Sequence, residues 1–475
     1  MPKSSRRSFL LAGVAAATLG AQRTSRRPNV VFFMTDDHGA WATGAYGCTE
    51  MRTPHIDRLA RGGMRFDNAF AATPVCSPSR ITYFTGKLPC AHGVQDWIIP
   101  KESFGPNATQ VLRDHVSFSE VLAENGYHLG LSGKWHMGGD EHAQEGFAYW
   151  HTVPGGGGTY QDPEFVENGK TVKKPGYKTD LVGDGAVTFL SQHQATRAAD
   201  PFFLYVPFYA PHTPFNYQPE TYREPYASAK FECFPRDPQN PRQNTGLARN
   251  HLNEESMKAY SALITGLDAN VGKVLAKLEE MGALEDTLIV FTADQGWNAG
   301  HHGVWGKGNG TVPKNMLEES IRVPMIWHHT GNIEAGTRSE AMISSYDFFP
   351  AILDYLGCAT APDKARVGQS YAPILRGRKP AWRDRLFFEY AGVRGIRTKT
   401  AKLVMRAKPW PSEMYDLEAD PGEKRNVIDD GGYAKLRASL SRELEEYFRK
   451  QGAPPIDEWR KSARLTVTEY KSISD

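Results

Sequence analysis

Two pairs of oxygen-bearing side chains follow apolar runs in this sequence. Asp36 and Asp37 come one residue after the run Asn29–Met34, and Asp294-Gln295 comes one residue after the run Leu288–Thr292. Adjacent carboxylates repel each other unless a cation neutralises them. Three carboxylates and one amide oxygen form an all-oxygen ligand set, which suits Ca²⁺ or Mg²⁺ better than zinc. For Asp36 and Asp37 taken alone, a solvated turn or a helix cap is the alternative.

Four candidate cations accompany these acids. Lys134 and His136 follow one apolar run, His212 follows another, and Lys307 lies in a glycine-rich stretch. Each of them alone is equally compatible with a structural or surface role. As a group placed after strand-like runs, they indicate a pocket for an anionic ester, because sites in open α/β sheets lie at the carboxyl ends of strands.

The apolar runs in front of these residues are predicted to be buried strands. They are short and rich in branched and aromatic residues, and they cover 29–34, 127–131, 202–206 and 288–292. Helical patterns lie between them. Met257–Leu278 keeps the three- and four-residue apolar spacing of an amphipathic helix. A second helix is predicted from Pro54 to Gly62 with Thr53 as its N-cap, and a short one over Ser117–Asn125.

The pattern changes after about residue 375, where Ala434–Lys450 reads as a charged amphipathic helix. The fold class is therefore predicted to be α/β: a large, mostly parallel β-sheet sandwiched by helices, with a small C-terminal antiparallel sheet plus helix subdomain. The boundaries are placed at 28–375 for the catalytic α/β domain and at 376–475 for the subdomain. The short strands of the subdomain are predicted over 386–390, 393–397, 402–405 and 414–417.

Residues 1–21 are predicted to be a signal peptide that is removed on export. They combine a basic start, an apolar stretch and a small-residue end at Ala21, and the run Ser5–Leu10 is similar to a twin-arginine signal. An ordinary signal peptide or an uncleaved anchor is the alternative. Removing the segment changes the formal net charge from +2 to −1. A charge so near zero argues against a nucleic-acid-binding protein.

No other stretch of the sequence is apolar enough to cross a membrane. We therefore expect an exported protein, periplasmic or extracellular, with no membrane span after signal removal. The five cysteines are few, odd in number and without a C-x-x-C pair, so a thiolate zinc site or a disulfide framework is not expected. Four of them are expected to be buried or free thiols, with one disulfide conceivable after export: Cys48, Cys90, Cys233 and Cys358.

The fifth cysteine opens the most specific pattern in the chain. The run Pro74–Arg80 contains Cys76 and Arg80, and Thr85-Gly86 follows it shortly afterwards. It resembles the signature of the type I sulfatases of the alkaline phosphatase superfamily, Cys-x-Pro-x-Arg followed by Thr-Gly. Further runs match the same family over roughly residues 28–430; they are Asp36-Asp37, Gly133–His136, Ala210–Phe215, Asp294–Gly296, Arg322–Pro324, Met414–Leu417 and Asp420–Glu423.

This resemblance implies a sulfate ester hydrolase in which a maturation enzyme oxidises Cys76 to Cα-formylglycine. The hydrated aldehyde, a gem-diol, would be the nucleophile, and a covalent sulfo-enzyme intermediate would split the reaction into two steps. The resemblance also implies one Ca²⁺ per chain, bound by the oxygen of the modified residue 76 together with Asp36, Asp37, Asp294 and Gln295.

The same resemblance assigns roles to the candidate cations. Arg80 is expected to hold the diol and the metal-binding carboxylates, and Lys134 to offset charge on the sulfuryl oxygens. His136 is expected to deprotonate the second hydroxyl of the diol. His212 and Lys307 are candidates to protonate or steady the leaving oxygen.

Two positions depart from the family pattern. In the family, the second metal-binding motif often contains Asn or His after its Asp, whereas this chain has Gln295 at that position. The amide oxygen of Gln295 can also bind a metal, but it lies on a longer side chain than that of Asn. The active-site lysine has two candidates in one glycine-rich stretch. Lys307 is preferred because it follows Trp305-Gly306, whereas Lys314 precedes a predicted helix start at Asn315 and is interpreted as a surface lysine.

Two alternatives remain open. A phosphate diester or phosphonate monoester hydrolase of the same superfamily shares these motifs, and a non-catalytic glycan-binding protein on the same scaffold belongs to a different class. The substrate expected for an exported sulfatase is a sulfated carbohydrate, although the motifs do not specify the sugar. The run His92–Trp97 is a candidate wall on the leaving-group side, or else a packed loop. Gly155–Gly158 is interpreted as a flexible loop without the context of a phosphate-binding loop.

Overall fold

The computed structural model describes residues 27–167 and 169–474. The predicted signal segment 1–21 lies outside the described residues. Within them, none of the helices combines the length and the apolar character that crossing a bilayer requires. All five cysteines are free thiols.

Over the described residues the strands form one large sheet and two small ones. The strands are β1 Asn29–Thr35, β2 Met64–Phe66, β3 Ala69–Phe70, β4 His128–Gly133, β5 Phe147–Thr152, β6 Glu164–Glu167, β7 Lys170–Lys173, β8 Phe202–Pro207, β9 Thr287–Ala293, β10 Met325–His328, β11 Thr337–Ser339, β12 Ile343–Ser344, β13 Arg385–Tyr390, β14 Val393–Thr398, β15 Ala401–Arg406 and β16 Glu413–Asp416. In the large sheet the order is β11-β2-β10-β9-β1-β8-β4-β5-β6-β7.

The centre of the large sheet is parallel, and both margins contain antiparallel pairs. Strands β9, β1, β8, β4 and β5 run parallel to one another, whereas β10 and β6 pair antiparallel with their neighbours. The four predicted strands before the candidate site residues are β1, β4, β8 and β9, and they are contiguous. Their carboxyl ends therefore meet at one edge of the sheet.

Helices cover both faces of the sheet. The helices are α1 Pro54–Arg61, α2 Cys76–Thr85, α3 Pro89–His92, α4 Pro100–Ser103, α5 Phe118–Glu124, α6 Lys178–Arg197, α7 Glu220–Arg223, α8 Thr245–Ala248, α9 Glu254–Glu280, α10 Glu318–Ile321, α11 Ser345–Leu356, α12 Ala372–Leu375 and α13 Ala434–Lys450. Along β1, Phe32 packs into a core with residues of α2, α5 and α11, while Val31 and Phe33 pack into a second core with residues of α6 and α9. This burial on both faces explains the continuous apolar run of β1.

Helix α1 begins at Pro54 with Thr53 as its N-cap residue, as predicted. The Thr53 side chain makes no capping hydrogen bond. The carboxylate of Asp268, on α9, accepts instead from the backbone N–H groups of His55 and Ile56, at 3.1 and 2.8 Å. The free N–H groups at this helix end are thus satisfied from a distant helix.

The C-terminal region forms the predicted antiparallel sheet, in the order β13-β14-β15-β16, with α13 packed on it. Its core is shared with the large domain, because Phe388 and Leu403 lie in the same buried cluster as Phe70, Val75 and Tyr346. The boundary between residues 375 and 376 stays a prediction.

Candidate active site

The candidate site residues gather at the carboxyl edge of the parallel strands. Asp36 and Asp37 follow β1, Asp294 and Gln295 follow β9, and both pairs are buried. Lys134 and His136 follow β4, and His212 lies in the segment after β8, as the sequence patterns predict. Asp37 and His136 have positive φ angles of 64° and 56°. Such backbone conformations are costly for residues other than glycine and recur at functional sites.

Cys76 is the first residue of α2 and is buried, with 3% of its surface exposed. The preceding residue, Val75, has no side chain that can cap the helix. Free N–H groups and the positive end of the helix dipole therefore lie beside residue 76, an arrangement that favours an anion. The Cys76 thiol donates to Asp36 Oδ1 at 3.3 Å, and Lys307 Nζ lies 2.9 Å from Sγ.

Arg80 stands four residues after Cys76, so both side chains project from the same face of α2. Its guanidinium is fully buried and binds Asp294 Oδ2 through Nε and Nη2, both at 2.8 Å. Nη1 donates to the carbonyl of Lys134 at 2.6 Å, and Nη2 lies 3.6 Å from Asp36 Oδ2. Arg80 thus links helix α2 to the ends of three strands.

The acids form one buried cluster whose members have different pKa values. Burial raises the pKa of Asp36, but the charges of Lys134, His212, Lys307 and Arg80 outweigh burial and hold that pKa well below its usual range. Burial raises the pKa of Asp37, and Lys307 offsets this only in part. In the same cluster, burial and the charge of Asp36 raise the pKa of Asp294 well above its usual range.

Two oxygens of this cluster have no hydrogen-bond partner: Asp37 Oδ2 and Gln295 Oε1. The amide nitrogen of Gln295 donates to Asp36 Oδ1 at 3.1 Å and to Asp37 Oδ1 at 2.7 Å. Buried polar atoms without partners are costly and are expected where a ligand or ion completes the site.

Two lysines bring positive charge to residue 76. Lys134 Nζ binds Asp36 Oδ2, and Lys307 Nζ lies 2.6 Å from Asp37 Oδ1. Burial and Asp36 raise the pKa of the Cys76 thiol, but these two lysines and a hydrogen bond with His212 more than offset them and bring it to about 6.

The two histidines differ in their surroundings. His136 is buried, and its Nε2 pairs with the carbonyl of Ile98 at 2.9 Å, while its Nδ1 has no partner. Burial, with a smaller contribution from Lys134, lowers the pKa of His136 well below its usual range. The ring is therefore neutral, and since Nε2 must carry the proton that the carbonyl accepts, Nδ1 has a free lone pair. His212 is partly exposed, with Nε2 3.7 Å from Asp37 Oδ2.

The structure separates the two candidate lysines of the glycine-rich stretch. Lys307 reaches Cys76, whereas Lys314 Nζ binds Asp96 Oδ2 at 3.2 Å and lies 4.9 Å from the centre of the Tyr390 ring. The interpretation of Lys314 as a surface lysine is wrong, because only 15% of its side chain is exposed. It compensates the buried charge of Asp96.

A cavity of about 290 Å³ lies above this cluster. Six of the predicted site residues line it: Asp37, Cys76, Lys134, His136, His212 and Lys307. Its wall also contains residues that the sequence did not indicate, among them Pro100, Leu247, Asn309 and Tyr470. The candidate run His92–Trp97 contributes Trp97, and the glycine run contributes Gly155, Gly156 and Gly157. A Cβ at Gly156 would lie 2.2 Å from the His136 ring, so the glycine permits this close approach.

Lys178 is a further residue that the sequence did not indicate. It is fully buried at the start of α6, where Nζ donates to the carbonyl of Gly157 at 2.8 Å and lies 4.1 Å from the centre of the Tyr209 ring. Burial, with a smaller contribution from Lys134, lowers its pKa to about 7. Lys178 thus supports the glycine segment that lines the cavity.

The amino-acid sequence is similar to those of known proteins. The family model named Sulfatase matches residues 28–358, and the model for the C-terminal region of N-sulphoglucosamine sulphohydrolase matches residues 300–450. The chain belongs to the sulfatase family. This sulfatase is a sulfuric ester hydrolase, and the predicted family membership and enzyme class are confirmed. An N-acetylglucosamine-6-O-sulfatase of Bacteroides thetaiotaomicron is 29% identical to it, over 92% of this chain and 90% of the relative.

Solved structures show the same architecture. One protein, solved in complex with its substrate D-glucosamine-2-N,6-O-disulfate, matches the sulfatase with a TM-score of 0.77 and 28% identity over 91% of this chain and 100% of its own. The phosphonate monoester hydrolase of Agrobacterium radiobacter shares the fold, with a TM-score of 0.69 and 22% identity over 90% of this chain and 96% of its own. The predicted fold class is therefore confirmed.

Proposed function

We propose that this sulfatase hydrolyses sulfate esters of saccharides and that residue 76, as formylglycine, is its nucleophile. The observation that carries the proposal is the place of Cys76: the N-terminus of α2, on the floor of a cavity, with Lys307 Nζ at 2.9 Å and Asp36 Oδ1 at 3.3 Å. A buried position among cations and acids suits a nucleophile that attacks an anionic centre.

The residues present fit the implied Ca²⁺. Asp36, Asp37 and Asp294 supply hard oxygen donors from two strand ends, and Asp37 Oδ2 has no partner. The Gln295 amide would offer its oxygen to the ion if it turned over, exchanging Oε1 for Nε2. These four residues and residue 76 would hold the ion. When bound, Ca²⁺ supplies positive charge that lowers the energy of anionic oxygens in the site.

Each of the residues around residue 76 has a separate role in the proposed reaction. Lys134 and Lys307 stabilise negative charge on the sulfuryl oxygens, and Arg80 holds Asp36 and Asp294 in place. The hydrate of formylglycine at residue 76 would supply one oxygen for attack on sulfur, which would break the bond from sulfur to the alcohol oxygen. Its second hydroxyl, once deprotonated, would re-form the aldehyde as the carbon–oxygen bond to sulfate breaks. His136 accepts that proton at Nδ1, its free ring nitrogen. His212, at the exposed side, protonates the leaving oxygen.

Relatives support a saccharide as the alcohol part of the substrate. The N-acetylglucosamine-6-O-sulfatase and the protein solved with glucosamine disulfate both act on sulfated amino sugars. The cavity of this sulfatase combines an aromatic wall with a cationic floor, which matches a ring with one charged ester group. Export by the twin-arginine route and oxidation of Cys76 by a maturation enzyme complete the proposal.

Mass spectrometry and kinetics test this function. The peptide that contains residue 76 should be about 18 Da lighter than its cysteine form, as expected for replacing a thiol with an aldehyde at a nucleophile position. Cys76→Ala should abolish hydrolysis of N-acetylglucosamine 6-sulfate and of a panel of sulfated mono- and disaccharides, whereas Cys358→Ala, a buried cysteine elsewhere, should retain it. A fully active enzyme with unmodified Cys76 would contradict the proposal.

Two further measurements separate the parts of the proposal. Rates on paired sulfate and phosphate esters of one alcohol distinguish a sulfatase from the alternative phosphate diester or phosphonate monoester hydrolase. Calcium binding is measured without turnover, as a rise in melting temperature on adding Ca²⁺ to chelated protein. That rise should be absent in Asp36→Ala and Asp294→Ala. Stoichiometric zinc in active protein would contradict the calcium site.

A further inference from the structure

The last residues of the chain return to the active-site cavity. After a short 3-10 helix, Ile456–Ser462, residues 463–473 run across the large domain, and we name this segment the C-terminal strap. Tyr470 of the strap lines the same cavity as Cys76 and Lys307. A segment from the end of the sequence thus forms part of the site built by the parallel strands.

Backbone hydrogen bonds fix the C-terminal strap on both sides of the cavity. On one side, Arg464 N donates at 2.8 Å to the carbonyl of Gly93, the residue that ends α3. On the other side, Thr245 N donates to the carbonyl of Lys471 at 3.2 Å, and Ile473 N donates to that of Gln243 at 2.9 Å. Attachment at two separate segments defines the path of the strap over the residues between them.

A buried ion pair lies beneath the centre of the strap. Asp96 accepts hydrogen bonds from Thr468 N at 3.1 Å, from the Tyr390 hydroxyl at 2.8 Å and from Lys314 Nζ at 3.2 Å. Lys314 Nζ also lies 5.7 Å from the centre of the Tyr470 ring. The lysine that does not reach Cys76 therefore supports the strap, which accounts for its burial.

The hydroxyl of Tyr470 is held by two donors. Trp97 Nε1 donates to it at 2.7 Å, and Asn309 Nδ2 donates to it at 2.9 Å; both residues line the cavity. A phenolic oxygen has two lone pairs and one hydrogen. Since the two donors use the lone pairs, the hydroxyl hydrogen is left for an acceptor. The indole of Trp97 can only donate, so the phenolic oxygen accepts in that bond.

We propose that the C-terminal strap forms the wall that recognises the alcohol part of the substrate, and that Tyr470 is a specificity-determining residue donating a hydrogen bond to a saccharide oxygen. The inference rests on the proposed function. Tyr470 is neutral, and the charge of the sulfate is matched by Lys134 and Lys307 on the cavity floor. An aromatic ring with one directed O–H suits a sugar, which offers both apolar ring faces and oxygen acceptors.

Kinetics of Tyr470→Phe test this role, because the substitution keeps the ring and removes only the hydroxyl. For N-acetylglucosamine 6-sulfate, or the sulfated saccharide of the panel that the wild type turns over fastest, KM should rise on the order of two- to tenfold, the size of one hydrogen bond. We expect kcat to stay within about twofold. KM for phenyl sulfate, whose alcohol part has no further oxygen, should not change. Tyr433→Phe, which removes a partly buried hydroxyl bound to Asp416, is the matched control.

Binding and stability measurements keep the test decisive. The Kd of the unsulfated saccharide, measured by isothermal titration calorimetry, should rise by the same factor in Tyr470→Phe, with an unchanged melting temperature. If KM rose equally for the sulfated saccharide and for phenyl sulfate, the inference would be overturned. It would also be overturned if KM and Kd for the saccharides were unchanged. Truncation after Ser462 should raise KM for the saccharide more than Tyr470→Phe does; an unaltered KM there would also overturn it. A wild-type protein inactive on all sulfate esters would instead reject the proposed function, and the Kd comparison would still decide on Tyr470.

Discussion

At the scale of single residues, the floor of the cavity is a balance of opposite charges. Lys307 Nζ contacts Asp37 Oδ1 at 2.6 Å and Cys76 Sγ at 2.9 Å, while Lys134 Nζ binds Asp36. Arg80 binds Asp294 and is enclosed with it. A sulfate ester adds negative charge to this site, so the lysines that reach residue 76 are the groups placed to stabilise it.

Lys307→Ala should lower kcat about a hundredfold or more, because removing a charge that stabilises the transition state costs on the order of 2–4 kcal/mol. Lys314→Ala should change kcat by less than about threefold, under 1 kcal/mol. Its effect should appear in KM, since Lys314 supports the C-terminal strap. Steady-state kinetics on one sulfated saccharide give both numbers. The reverse ranking of the two kcat values would show that Lys314 serves the nucleophile.

Lys178 predicts a pH dependence of stability. Its pKa is about 7 in the folded protein against 10.5 for the ordinary group, so the unfolded chain binds more protons between these values. The contribution of this residue to the free energy of unfolding is therefore complete above pH 10.5, falls as pH falls, and is smallest below pH 7. Its slope is at most about 1.4 kcal/mol per pH unit.

The measurement is denaturant unfolding at pH 7, 8 and 9 for the wild type and for Lys178→Met. As the pH rises from 7 to 9, the unfolding free energy of the wild type should increase relative to that of Lys178→Met. Lys273→Met, at an exposed ion pair with Asp184, is the control and should give a pH-independent difference. A constant difference for Lys178→Met would mean that this lysine keeps its ordinary pKa.

At the scale of elements, the end of β4 sets the position of two site residues. Gly133 closes β4 with φ at +134°, and a Cβ there would lie 2.0 Å from the carbonyl oxygen of Pro207 on β8. Lys134 N donates to that same carbonyl at 2.7 Å. The contact between the two strands thus directs Lys134, and with it His136, into the cavity.

Gly133→Ala should therefore force β4 away from β8 and lower kcat by tenfold or more, since small misplacements of catalytic groups have large effects on rate. It should also lower stability by about 1–3 kcal/mol. Gly126→Ala is the control, because Gly126 also has a positive φ, +85°, but nothing lies within 4 Å of its Cβ position. Activity and melting temperature are measured for both. Equal effects would assign the loss to backbone conformation and not to the strand contact.

At the scale of the whole molecule, a buried ionic network joins the C-terminal sheet to the segment around α10. Arg397 on β14 binds Glu318 through two bonds of 3.0 Å, and Lys402 on β15 lies 3.2 Å from Glu318 and also binds Glu423. Glu318 N in turn donates to Glu423 Oε2 at 2.8 Å. Glu318 begins α10, shortly after the segment that carries Lys307, so the sheet supports the site through this network.

Lys402→Met should lower the free energy of unfolding by about 3–5 kcal/mol, because it leaves buried carboxylates without their counter-charge. Calorimetry should still show one transition, since the two regions share a core. Lys408→Met, whose side chain is 91% exposed, is the control and should cost less than about 0.5 kcal/mol. Two separate transitions in the wild type would show instead that the C-terminal region unfolds by itself.

The sequence alone determined the parts of this protein that depend on neighbours along the chain. Strand β1 and helix α13 follow from local apolar patterns, and α13 has the predicted bounds, Ala434–Lys450. The site residues could be selected because short motifs directly follow strands, and parallel strands bring their carboxyl ends together whatever their order. The type of each side chain then limits its chemistry, as for the acids Asp36 and Asp294.

The tertiary structure decided what depends on contacts between distant residues. Helix α6 has no clear apolar stripe, because glycines occupy part of its packed face. Gly183 and Gly185 allow close contact with Asn270 and His151, which a Cβ would prevent. Asp268 caps a helix more than 200 residues away. Tyr470 meets Trp97 across 373 residues of chain. Local patterns carry no information about such contacts, since they arise only when the sheet, the C-terminal region and the C-terminal strap pack together and bury the groups that they join.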